Sequence, residues 1–185
     1  MQRTYLKYLN TVFFALLLLI AVSFQSTLFS YHPIEYFKPD LILLIVVYFG
    51  FRRTIIEGGI FAIIAGLILK NHSSAASHFA MTVYLYLFLI SKILSRAVAS
   101  PNFLSSMSMV AFLTLLKKTG FLILTWFEGS QPLRVLFDNF LIYLIPGVLA
   151  QALLTPLFFG IFKELDHYTH KDELAEIGEN DFETT

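Results

Sequence analysis

Two lysines, Lys117 and Lys118, stand side by side midway along an apolar stretch that runs from Phe103 to Phe127. An ammonium at membrane depth is costly to desolvate, so its default uses are a pore, a substrate counter-ion or a proton relay. Snorkelling is the competing use, because about ten residues remain to Glu128 and a lysine stem covers several more ångströms toward the interface. The sequence puts no obvious acid deep in an apolar segment to pair with them, which weighs against transport. His72 and His78 share one connection, but no thiol or carboxylate stands near to complete a metal ligand set. There is no cysteine, no nucleophile elbow and no glycine-rich phosphate loop. The chemistry-bearing residue types therefore predict no enzyme, no cofactor and no metal.

The elements that carry these residues are set by apolar run length. Of 185 residues, 57% are hydrophobic and 14% charged, against about a quarter charged in soluble domains. The chain's mean hydropathy is +0.71. A helix needs about 20 residues to cross the hydrocarbon core upright. Six candidate spans follow, at residues 8–29, 39–51, 54–70, 79–95, 103–127 and 139–162, which predicts an all-α integral membrane protein, a six-transmembrane-helix bundle. Arg3 and Lys7 before the first run also resemble the start of a signal peptide, but the run is long enough to remain as a span. Arg52 and Arg53 divide the second and third segments, and both are short. They are read as two spans in a locally thinned bilayer, with a re-entrant hairpin as the alternative. Pro146 and Pro156 predict kinks in the sixth span.

Charge gives the bundle a direction. Residues 1–162 hold eleven Lys/Arg against five Asp/Glu, and residues 163–185 hold two against eight, so a basic membrane domain (1–162) ends in an acidic tail (163–185). With the N-terminus inside, the cytoplasmic connections and termini collect Arg3, Lys7, Arg52, Arg53, Lys92, Arg96, Lys163 and Lys171. The opposite side receives Lys38, Lys70 and Arg134. That asymmetry predicts both termini in the cytoplasm. The tail, with scattered Leu165, Tyr168, Leu174 and Ile177, is read as a solvated segment or a weak docking helix.

Two local patterns point to contacts. Pro39-Asp40 suits a helix start, since proline has no N–H to lose there and a carboxylate favours the positive helix end. Gly58, Ala62 and Gly66 recur every four residues and bare one face of the third segment, which lets another helix backbone approach closely. That face is a candidate partner interface or a packing surface within the bundle.

Phe37-Lys38-Pro39-Asp40-Leu41 through Tyr48-Phe49-Gly50, with Glu57-Gly58-Gly59 and Ala65-Gly66-Leu67, resembles the rod shape-determining protein MreD family. The match covers roughly residues 37–70, and length and hydropathy agree elsewhere. Lys70-Asn71 stands where that family usually has an aspartate. The resemblance implies a non-enzymatic component of the cell-elongation machinery in the bacterial inner membrane. Its direct partner would be the single-span protein MreC, which links it to MreB filaments and to the wall-synthesising polymerase and transpeptidase. Lipid is its other partner, and no nucleic acid is expected. The resemblance also implies a bundle similar to the substrate-binding subunit of energy-coupling-factor transporters. The alternative function is accordingly a vitamin- or small-molecule-binding subunit.

Overall fold

The computed structural model describes residues 2–28, 37–72, 79–97, 102–127 and 133–168. Among them are six helices: α1 (Gln2–Leu28), α2 (Leu41–Arg52), α3 (Ile55–His72), α4 (Ala80–Ala97), α5 (Phe103–Phe127) and α6 (Leu133–Tyr168). An apolar chain satisfies its backbone most completely this way, because every helical hydrogen bond is made within the segment.

α2 organises the rest. Its sequence, LILLIVVYFGFR, is apolar on every side, and a helix of that kind is stable only when enclosed. Leu41 through Gly50 are all buried, and α2 touches each of the other five helices. Phe14 and Leu18 of α1, Phe61 of α3, Leu87 and Phe88 of α4, and Phe162 of α6 belong to the same buried cluster. α3 packs mainly on α4, and α5 mainly on α6.

Local chemistry sets where the helices end. Asp40 caps α2, its Oδ1 accepting from the Leu43 N–H at 3.0 Å; Pro39 precedes the cap and is buried. The N–H of Arg53 returns to the Phe49 carbonyl and closes the last turn. Thr54 then opens α3, its hydroxyl accepting from the Glu57 N–H at 3.3 Å, as the Thr-x-x-Glu spacing favours. Only Arg53 and Thr54 separate α2 from α3. α6 runs through both Pro146 and Pro156 and extends to Tyr168, beyond the expected boundary at residue 162. The expected acidic tail therefore begins as helix, and the part of it after Tyr168, with Leu174 and Ile177, lies outside the described residues.

The small-residue face of α3 is covered from within the chain. A Cβ built on Gly58 would lie 2.2 Å from the Phe88 ring, and one on Gly66 would lie 2.4 Å from the Met81 Cα. Ala62 between them is fully buried. Of the two uses expected for this face, the structure fills it with α4, leaving no room there for a second chain. α2 approaches α4 as closely, since a Cβ on Gly50 would overlap the Ser91 hydroxyl.

Among the described residues two helices are long and apolar enough to cross a membrane, over Phe103–Leu124 and Ile142–Tyr168, and shorter apolar stretches cover Asn10–Gln25, Leu41–Arg52 and Ile55–Leu69. The outward faces are apolar as well. Val12, Leu16, Leu19, Ile20 and Phe24 line one side of α1, and Ile142, Ile145, Leu149, Leu153, Leu157 and Ile161 one side of α6, all exposed.

Candidate functional site

At twelve residues α2 is about 18 Å long, and each end carries a charge into the bundle. At its N-terminus, Asp40 collects partners from three helices. The side-chain amide of Gln151 (α6) accepts from the Asp40 N–H at 2.6 Å and donates to the Asp40 carbonyl at 2.7 Å. Tyr84 (α4) donates its hydroxyl proton to Asp40 Oδ2 at 2.8 Å. Lys117 (α5) donates to that same oxygen and to the Tyr84 hydroxyl, the latter at 2.7 Å. The ammonium also lies over the rings of Tyr84 and Phe121, 4.7 and 5.6 Å from their centroids. Gln151 and Tyr84 are fully buried.

A second cluster holds the other end. Arg53 donates through Nη2 to Asp166 Oδ1 of α6 and, at 2.8 Å, to Asn10 Oδ1 of α1. Asp166 accepts further from Asn10 Nδ2 at 3.0 Å and from the Tyr48 hydroxyl at 2.6 Å. Asp166 and Asn10 have no exposed surface, and Arg53 is 5% exposed. The guanidinium stacks over Phe14 and Phe49 at 5.7 and 5.3 Å, and Glu57 Oε1 lies 3.9 Å from its Nε. Lys92 of α4 donates to the Arg53 carbonyl at 2.6 Å. The Arg53 cluster thus joins α1, α2, α4 and α6 at one end of the molecule, and the Asp40 cluster joins α2, α4, α5 and α6 at the other end of α2.

Each carboxylate faces a cation and further donors, as a buried charge requires. Such a site clamps helices; it does not present an unpaired base or an activated nucleophile. Among the described residues no group of three or more His, Cys, Asp or Glu could hold a metal ion. His72 ends α3, and His78 lies outside the described residues.

Pro39 and Asp40 open α2 as expected, and Asp40 is also the acid that pairs with Lys117. Lys117 turns inward to that carboxylate and to the Tyr84 hydroxyl. Lys118 separates from its neighbour and donates to the Tyr143 carbonyl of α6. Gly58, Ala62 and Gly66 belong to the α3–α4 contact and lie in neither cluster.

Searches of protein-family models, of curated proteins and of solved structures return no match to this chain. Its chemistry must be judged on its own residues.

Several of those residues escaped the sequence. Arg53 counted only as a loop charge and Asp166 as one of the tail's carboxylates. Helical spacing was the available signal. Gln151, Thr155, Phe162 and Asp166 are buried along one face of α6, and Asn10, Phe14, Leu18 and Ala21 along one face of α1. Polar groups on an otherwise apolar stripe mark an internal contact.

Proposed function

We propose that this chain is a multi-pass inner-membrane scaffold of the cell-elongation machinery, with six spans and both termini in the cytoplasm. In this role it binds MreC, and through MreC is coupled to MreB filaments and wall synthesis. The observation that carries the proposal is the place of Asp40. The proline-aspartate entry is the most specific part of the MreD resemblance, and in this chain it is the point on which Lys117, Tyr84 and Gln151 converge. A residue on which four helices depend suits a bundle whose task is to keep a fixed shape for a partner.

The membrane assignment is supported by the two helices of spanning length and by apolar side chains facing outward from α1 and α6. Contiguous exposure of that kind is rare on water-soluble monomers. A bilayer deeper than α2 is long is no obstacle, because irregular and charged backbone is tolerated at membrane depth when protein surrounds it. Direction is supported by the gathering of Arg53 and Lys92 at one end, as cytoplasmic lysines and arginines would be. MreC must then engage an outward face, since the small-residue face of α3 is already covered by α4.

Depletion tests the proposal. Loss of the chain should turn rod-shaped cells round, and affinity purification from native membranes should recover MreC. Normal shape together with a tightly bound vitamin would instead favour the transporter subunit.

A further inference from the structure

A cleft of about 350 Å³ opens between the C-terminal end of α2, the start of α5 and the last part of α6. That volume lies within the range of small-ligand sites. Phe51, Phe103, Phe159 and Pro156 give it apolar walls, Ser106 adds a hydroxyl, and Arg52 and Lys163 supply its charge. Both cations are exposed, and no carboxylate is among the described residues that line the cleft. Tyr48 is common to the cleft and the Arg53 cluster: it is one of the residues lining the cleft, and its hydroxyl donates to Asp166.

We propose that this cleft binds the headgroup and upper acyl chain of an anionic phospholipid. Two cations beside aromatic walls match a phosphate joined to hydrocarbon, whereas a free inorganic anion would leave the aromatic walls unused. Basic pockets between membrane helices on the cytoplasmic side select anionic headgroups for the same reason. The cleft lies at the end of the bundle where Arg53 and Lys92 gather, the end that faces the cytoplasmic leaflet. This inference rests on the membrane placement proposed above, though not on MreC as the partner.

The test uses the purified full chain in nanodiscs of phosphatidylcholine with a small fraction of phosphatidylglycerol, and native mass spectrometry counts the lipids retained. The wild type should keep phosphatidylglycerol in preference to phosphatidylcholine. Each cation near a headgroup contributes about five-fold in affinity, so the Arg52→Gln, Lys163→Gln double variant should lose roughly twenty- to thirty-fold of that preference. Gly160 lines the cleft, and a Cβ built on it meets no atom within 4 Å. Gly160→Leu should therefore fill the cleft and displace the lipid without disturbing the helix. Both variants should melt with the wild type in pure phosphatidylcholine. Equal retention of the two lipids, undiminished preference in both variants, or displacement of phosphatidylglycerol by millimolar inorganic phosphate would overturn the proposal. Carbonate extraction separates this from the placement it depends on: a chain that stays in the pellet but shows no preference refutes the cleft alone, and a chain released to the supernatant refutes both.

Discussion

Removing the Lys117 charge should cost far more than removing that of Lys118, one residue away. Lys117 and Asp40 side chains are only 15% and 12% exposed, so the pair is poorly screened. Two unit charges about 4 Å apart attract by about 4 kcal/mol at the effective dielectric of a protein site. Lys117→Met removes that attraction and leaves Asp40 an unbalanced anion among Tyr84, Gln151 and apolar neighbours. Breaking such a pair from one side costs about 3–5 kcal/mol. For a chain of this size a loss of about 3 kcal/mol lowers the melting temperature by roughly 6–12 °C. Asp40→Asn strands the ammonium in the same way, although the amide oxygen can still cap α2. In the Asp40→Asn, Lys117→Met double variant no charge is left uncompensated, and stability should return most of the way, since a neutral replacement of a buried pair is often harmless. Lys118→Met removes one hydrogen bond to a carbonyl and should cost about 1 kcal/mol. Thermal unfolding in one detergent, followed by tryptophan fluorescence and completed as a double-mutant cycle, measures all four. Additive single effects, or equal losses at Lys117 and Lys118, would refute an inward-facing Lys117.

At the other end of α2, a chain stopped after Phe162 loses Asp166 and should accumulate poorly, while one stopped after Tyr168 keeps the Arg53 cluster and should melt with the full chain. Immunoblots of membranes distinguish the two. Gly50→Ala and Gly66→Leu should both lower membrane levels several-fold, because the first meets the Ser91 hydroxyl and the second the Met81 backbone. Gly120→Leu, whose Cβ has open space, should not. The chain has no cysteine, so Thr54→Cys in the α2–α3 turn can be labelled alone. An impermeant maleimide should reach it only in inverted vesicles, and labelling in intact spheroplasts would overturn the proposed orientation.

Element type was legible because it depends on neighbours in sequence. The break at Arg52-Arg53, the Pro39-Asp40 start and the apolar run from Phe103 to Phe127 each act within a few residues. The pairing of charges was not, because it depends on which helices meet. Asp40 and Lys117 are 77 residues apart, and Arg53 and Asp166 are 113 apart. Net charge groups Asp166 with its acidic neighbours in a solvated tail, whereas helical spacing puts it one turn after the buried Phe162, on the same inward face. The glycine face is an intermediate case. Its small size was plain, but whether α4 or a second protein used it required the position of Phe88 and Met81.

The two clusters also explain how α2 can be so short. A lipid-facing helix must match the ~30 Å hydrocarbon core, or thin the bilayer around itself. An enclosed helix is released from that constraint, since protein groups stand where lipid would be. In the proposed bilayer placement, Asp40 and Arg53 would end α2 at membrane depth, provided that Lys117, Tyr84 and Gln151 at one end, and Asp166 and Asn10 at the other, are all in place. Dependence runs in both directions: α2 is secure only while four helices supply these groups, and those helices are held in register by the same bonds. A shift of α5 or α6 along its axis would break an ion pair at one end of α2 or the other. In a scaffold that coupling keeps the outward faces of α1 and α6 at a fixed spacing, which is the property a membrane partner would recognise.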